Sequence, residues 1–252
     1  MEIINVTPQN AKEETFFCIK DIKKSGFESK QKWFEKRYNE GLQLKILKDN
    51  DQKMIGFIEF TEASKAWRPV NADGYMFIHC MVVQSKKDRN KGYGALLINE
   101  AEKEAKKNKM SGLCVMTSKG SWIANKTIFE KHGFSEVDRR GRFELLSKKW
   151  DDKAVDPTLI DWTLKQKNYN GWHLVYADQC PWHDKSAFDL LNTAMDYGID
   201  LKLTKLESAE QAKNAPSGYG VFSILHNGKL IEDHYISATR FKNILKKEIH
   251  SS

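Results

Sequence analysis

Residues 75–94 constrain the fold most. Tyr75–Val83 is a continuous apolar run, as expected for a strand covered on both faces. It leads into the polar stretch 84–94, which ends Arg89-Asn90-Lys91-Gly92-Tyr93-Gly94. Tyr93–Lys107 then shows helical periodicity through Leu97, Ala101 and Ala105. Two glycines one residue apart at a helix start let backbone amides converge on an anion, and the helix dipole adds to that field. Lys86, Lys87, Arg89 and Lys91 surround the loop, so a pyrophosphate is its natural occupant. The third glycine of a dinucleotide fingerprint is absent, and no Lys-Ser/Thr follows the second glycine as in a Walker loop.

The rest of the chain sets this unit in context. Glu2–Val6 reads as a strand, and Thr7-Pro8 as the start of a helix to about Lys24, with Ser25-Gly26 as its break. A second helix is expected from Ser29 through Tyr38, burying Trp33 and Phe34. Leu42–Leu47 and Met54–Phe60 alternate around a polar turn and read as a hairpin. Leu113–Met116, Asn125–Lys131, Phe134–Asp138 and Arg142–Lys148 follow as strand, helix, strand, strand. Residues 151–168 are polar, contain Pro157 and read as a linker. Beyond it come strand Trp172–Ala177, helix Asp184–Tyr197, strand Leu201–Leu206, a short helix, strands Val221–Leu225 and Leu230–Tyr235, and helix Ala238–Ile249.

Charge follows the same division. Residues 1–150 hold 29 Lys+Arg and 20 Asp+Glu, net +9, whereas 151–252 hold 12 and 14, net −2. A basic first half favours an anionic ligand. No basic stretch is interleaved with stacking aromatics, so nucleic acid is not expected as a partner. The longest apolar run, Met76–Val83, is far short of the roughly 20 residues of a membrane span. No basic-then-apolar leader begins the chain, and its cysteines at 18, 80, 114 and 180 are too far apart to suggest a disulfide framework or a metal site. A cytoplasmic protein without a metal is expected.

Arg-x-x-Gly-x-Gly between an apolar strand and a helix resembles the acetyl-CoA loop of the GNAT superfamily of N-acetyltransferases. Gly133-Phe134 after Phe129-Glu130-Lys131-His132 is similar to the end of that family's fourth helix, and the element order agrees. The resemblance covers residues 1–150 and implies a GNAT acyl-CoA N-acyltransferase fold with acetyl-CoA as co-substrate. It implies that Met81, Val82 and Val83 pair with the pantetheine arm through their backbone, the amide near Met81 polarising the thioester carbonyl. It also implies that Arg89, Asn90, Lys91, Gly92, Tyr93, Gly94 and Ala95 hold the pyrophosphate. The family's usual tyrosine acid is replaced by Phe129, which cannot donate a proton.

An attacking amine must lose a proton. His79, just before the pantetheine edge, is the first base candidate, with a buried structural histidine as the other reading. Glu59 on the preceding strand is the second candidate, or an outward-facing strand carboxylate. Arg68, in Trp67-Arg68-Pro69, either holds a substrate carboxylate or belongs to a surface loop. Cys80 should face away from His79, into the core.

Cys180-Pro181-Trp182-His183 follows a strand and opens a helix, and Ala215-Pro216-Ser217 precedes another strand. These features resemble the thioredoxin and glutaredoxin fold, and the combination resembles YoaP-type acetyltransferases. The expected fold class is therefore α/β: the GNAT fold over 1–150, a linker over 151–168, and a smaller thioredoxin-like α/β domain over 169–252. His183 stands where a second cysteine would, and residues 151–252 contain no cysteine besides Cys180, which excludes an internal disulfide there. Cys180 is then either a thiol activated by the helix start and His183, or a packed side chain. Two functions follow: transfer of an acyl group, expected to be acetyl, to a small primary amine by direct attack in a ternary complex; or acyl-CoA binding without catalysis, with the second domain docking a partner. A thiol redox enzyme is disfavoured by the missing cysteine.

Overall fold

The computed structural model describes residues 1–252 apart from 17, 84–90, 121–124 and 251–252. The first half runs β1 (Glu2–Val6), α1 (Ala11–Glu14), α2 (Ser25–Asn39), β2 (Gln43–Lys48), β3 (Met54–Glu62), a single 3₁₀ turn (Ala63–Lys65) and β4 (Val70–Asn71). It continues with β5 (Tyr75–Val83), α3 (Tyr93–Lys107), β6 (Gly112–Ser118), α4 (Lys126–Glu130), β7 (Ser135–Arg140) and β8 (Phe143–Lys149). Seven of these strands form one sheet in the order β1-β2-β3-β5-β6-β8-β7. Neighbours are antiparallel except β5 and β6, which run parallel.

Strand alternation divides the core between the two faces of this sheet. Phe57 and Phe77 join a cluster with Phe27, Trp33 and Phe34 of α2. Ile58 and Ile78 join the opposite cluster with Leu97, Ile98 and Ala101 of α3 and Phe129 of α4. The first cluster continues without a break into Leu174, Leu190, Phe222 and Phe241. The C-terminal half therefore covers the same sheet face as α2.

Two expectations near the N-terminus are corrected. The first helix ends at Glu14, with Thr15 at φ +60°, and does not reach Lys24. The second begins at Ser25, so Gly26 lies inside its first turn instead of terminating its predecessor. The reason is a close approach: a Cβ on Gly26 would sit 2.2 Å from the Pro181 carbonyl oxygen. The buried face of α2 is Gly26, Phe27, Lys30, Trp33, Phe34 and Arg37, a helical stripe carrying two cations.

The second half runs β9 (Thr158–Leu159), α5 (Thr163–Gln166), β10 (Trp172–Tyr176), α6 (Pro181–Asp196), β11 (Leu201–Lys205), α7 (Ala209–Lys213), β12 (Phe222–His226), β13 (Lys229–Glu232) and α8 (Ala238–His250). Its sheet has the order β11-β10-β12-β13, with β10 parallel to β11 and antiparallel to β12. The stretch read as a linker is not free of the first half. Its β9 pairs with β4, and the Leu159 amide donates to Asp138 Oδ2 at 2.7 Å. Arg37 Nη1 donates to the Glu207 carbonyl at 3.0 Å, and Arg142 pairs with Asp233 at 2.5 Å. A Cβ on Gly218 would lie 2.4 Å from the Phe143 ring, so contact between the halves is close throughout.

Candidate active site

The sheet opens at one place. β5 pairs with β6 from Tyr75↔Gly112 to Ile78↔Val115 and no further, while β6 stays paired with β8 to Ser118. Among the described residues, β5 from His79 to Val83 is bonded only to β3, so its other edge presents backbone groups that no described strand pairs. The register with β3 shifts here: Glu59 faces Cys80 and Phe60 faces Ile78, leaving His79 as the extra residue of β5. The bulge breaks strict alternation. His79 and Cys80 consequently line the same cavity, contrary to the expectation that Cys80 faces the core.

Lys91 lies just before α3, outside any helix or strand. Gly92 is the N-cap of α3 with φ +82°, a left-handed conformation suited to glycine, and it offers no side chain to cap the first amides. Those amides remain for an anion. Tyr93, Gly94 and Ala95 form the first turn, and a Cβ on Gly94 would meet Ile128 Cδ1 at 2.3 Å. Met81, Val82 and Val83 lie on the open edge. Arg89 and Asn90 lie outside the described residues. The open strand edge and the glycine-capped helix together fit a nucleotide thioester with an extended arm.

A cavity of about 390 Å³ lies behind this edge, lined by both halves. Glu59 of β3, 2% exposed, receives Lys30 Nζ at 2.5 Å on one oxygen and Gln179 Nε2 at 2.9 Å on the other. Arg68 is buried, not part of a surface loop; its Nη1 donates to Gln179 Oε1 at 2.6 Å and to the Trp67 carbonyl at 2.7 Å. Its guanidinium lies 4.9 Å from the Tyr219 ring centre.

His79 Nε2 accepts the Trp67 amide at 2.9 Å, which puts the proton of a neutral ring on Nδ1. Nδ1 is 3.6 Å from Glu59 Oε1. Burial, reinforced by Arg68 and Lys30, holds the imidazole well below its ordinary value. Its one lone pair is engaged, so this ring is poorly placed to take a proton from an amine.

Phe129 is fully buried against Phe134, with ring centres 5.4 Å apart, and lines the cavity without a hydroxyl. The hydroxyls among the described lining residues belong to Tyr219 and Tyr235, both from the C-terminal half. Burial raises Tyr219 well above its ordinary value, so it remains a proton donor.

Cys180 caps α6 and lines the cavity with Cys18 and Cys80. The expectation of an activated thiol meets an opposing structural cause. Burial pushes the Cys180 thiol up to about 12, outweighing the Trp182 amide that favours the thiolate. His183 supplies no cationic help: its Nδ1 is 2.8 Å from the Ala177 carbonyl, and burial lowers it to about 3. Alkylation of Cys180 at pH 7 should run about 10³-fold slower than for a free cysteine, from the thiolate fraction alone. Peptide mapping after timed labelling checks this; labelling at the free-thiol rate would contradict the burial described.

Lys30, Gln179, Tyr219 and Tyr235 join the site only in the folded structure. Lys30 carries a legible sequence signal, a cation on the apolar stripe of α2. Gln179 has only its position beside Cys180. The tyrosines have none, because only the packing of the two halves brings them to β5. Among the described residues no His/Cys/Asp/Glu group could hold a metal ion, and no helix is long and apolar enough to cross a membrane.

Residues 10–134 match the acetyltransferase (GNAT) family, and residues 200–243 match the YoaP-like family. The Bacillus subtilis (strain 168) protein named "Uncharacterized N-acetyltransferase YoaP" is 26% identical over 248 residues, spanning 96% of this chain and 97% of that protein. Among solved structures, a ribosomal-protein-alanine N-acetyltransferase from Brucella melitensis is 18% identical, covers 59% of this chain and 99% of its own, and has a TM-score of 0.42. The PaiA N-acetyltransferase from Thermoplasma acidophilum, solved with coenzyme A, is 18% identical, with coverage of 60% and 100% and a TM-score of 0.39.

Proposed function

We propose that this N-acetyltransferase moves the acetyl group of acetyl-CoA to a small primary amine by direct attack in a ternary complex. The observation that carries the reading is the β5 edge, which loses its β6 partner after Ile78 and leads to a glycine-capped helix. In this reading residues 1–150 form the acetyl-CoA domain, 151–168 a tethered connection, and 169–252 a thioredoxin-like domain, supported by the strand order β11-β10-β12-β13.

The pantetheine arm pairs with Met81–Val83 as an added strand. The pyrophosphate takes the amides of Gly92–Ala95, with Arg89, Asn90 and Lys91 beside it by family resemblance. The Met81 amide polarises the thioester carbonyl. Glu59 is the base: it takes a proton from the acceptor ammonium, directly or through one water, while Lys30 and Gln179 fix its two oxygens. The amine nitrogen then bonds to the carbonyl carbon, the carbon–sulfur bond breaks, the thiolate leaves with the electron pair, and the second proton on nitrogen passes to the departing sulfur through the Tyr219 hydroxyl. Among the described lining residues, Tyr219 is the hydroxyl proposed to return a proton to sulfur. A thiol pushed to about 12 argues against an acyl-enzyme on Cys180 and favours direct attack.

The test is release of CoA thiol across a panel of primary amines, with mass analysis of the products. N-acetylated amine formed in step with thiol supports the reading; acetyl-CoA binding without any acetylated amine contradicts it. Gly92→Val places a β-branched residue at φ +82° beside the anion site. Calorimetry should show CoA affinity reduced at least about tenfold, since strain of about 1–2 kcal/mol and lost amide contacts add. Unchanged affinity would remove Gly92–Ala95 from the pyrophosphate site.

A further inference from the structure

Arg68 touches no carboxylate among the described residues, and Glu59, which acts on it at longer range, is shared with Lys30. Arg68 is 4% exposed, and the groups it touches are neutral: the Trp67 carbonyl, the Gln179 amide oxygen and the Tyr219 ring. Among the described lining residues the one carboxylate, Glu59, is already paired with Lys30. His79 is neutral, and Cys18, Cys80 and Cys180 are protonated. The described lining therefore carries one net positive charge, and a buried cation without its own counter-charge costs several kcal/mol. Both bonds use Nη1, and among the described residues Nε and Nη2 have no partner. That pair of donors is the edge of a guanidinium that binds a carboxylate in bidentate fashion.

We infer that the acceptor is an α-amino acid, its carboxylate bound by Arg68 and its amine delivered to Glu59. The inference rests on the amine-acetylation reading and names its substrate class. Distance supports it: the side-chain amide of Gln179 bridges Glu59 Oε1 and Arg68 Nη1, with bonds of 2.9 and 2.6 Å. The two charged groups are thus separated by at most about 8 Å, given one amide width between those bonds. An α-amino acid hydrogen-bonded at both ends reaches at most about 8–9 Å by standard bond lengths, and less with bent hydrogen bonds, so it can bridge that gap. A longer separation of amine and carboxylate would overshoot, and a doubly charged phosphate would exceed the single unbalanced charge. Apolar walls at Phe16, Leu44, Phe57 and Met116 favour an apolar side chain. Gln179 positions Arg68, which makes the C-terminal half part of the selectivity device.

The experiment compares leucine, leucinamide and 3-methylbutylamine as acceptors, after a screen of apolar α-amino acids, in wild type, Arg68→Met and Arg68→Lys. Wild type should favour the amino acid at least 100-fold in kcat/KM over both analogues. Arg68→Met should bring that ratio near one by losing the acid, with Arg68→Lys between. Equal use of acid, amide and amine by wild type would overturn the inference and leave amine acetylation standing. If no amine is acetylated, the function reading fails, and calorimetry of leucine on the CoA-loaded protein decides the site alone. Binding lost in Arg68→Met supports it, and no binding to wild type overturns it. Should Arg68→Met fail to fold, the wild-type ratio and Arg68→Lys still decide between these outcomes.

Discussion

Replacing Glu59 by glutamine is expected to lower kcat by about 10²–10⁴-fold, the usual contribution of a positioned base, with CoA affinity unchanged. Glutamine keeps the shape but cannot take the ammonium proton. It also leaves Lys30, 4% exposed, without its counter-charge, and breaking a buried pair costs about 3–5 kcal/mol. The loss of rate must be separated from this loss of stability. The double variant Lys30→Met, Glu59→Gln removes both charges and should recover most of the stability while staying inactive. Steady-state kinetics beside denaturant titrations distinguish the two effects. A double variant with the parent rate would move the proton transfer to water or to another group.

Acidification should destabilise the fold through two buried neutral histidines. His79 is held well below its ordinary value and His183 at about 3, in both cases first by burial. Near pH 7.5 both are neutral folded or unfolded, so their stabilising effect is fully present above the unfolded value of about 6.5. As pH falls below about 6.5, the unfolded chain binds protons that the folded protein refuses, and stability drops. At about 1.4 kcal/mol per pH unit, the loss from His183 reaches about 2 kcal/mol by pH 5, and His79 adds to it in the same direction. Unfolding free energies at pH 7.5 and 5.0 measure it. His183→Phe, placed among Tyr219, Phe222 and Tyr235, should remove the His183 share of that loss. A variant with the parent pH dependence would show that His183 is protonated in the folded state. Neither ring should contribute a kinetic limb between about pH 6 and 7.

The elements around the glycine loop were legible because their signals are local: an apolar strand, two glycines and a periodic helix. The order of the C-terminal elements was legible for the same reason, from short apolar runs set between polar turns. The second N-terminal helix, with Trp33 and Phe34 buried, was legible too, but the end of the first and the start of the second were not. Gly26 reads as a helix end in isolation, and only its contact with Pro181 explains a glycine inside α2. Arg68 reads as a loop residue until the C-terminal half covers it. Glu59 and His79 were visible as candidates, but the sequence put His79 first, the order that the proposed function reverses. The reversal depends on the Trp67 amide occupying His79 and on Lys30 and Gln179 orienting Glu59. For Cys180 the sequence left an activated thiol and a packed side chain both open, because a helix start favours a thiolate only where water or a cation reaches it, and here burial dominates.

A crystal structure with CoA bound is the most direct test of acetyl delivery into a chamber built by both halves. The arm is expected along Met81–Val83, the pyrophosphate at Gly92–Ala95, and the sulfur opening into the cavity that Glu59, Arg68 and Gln179 line. CoA bound along another edge, or with its sulfur outside that cavity, would contradict the proposed function.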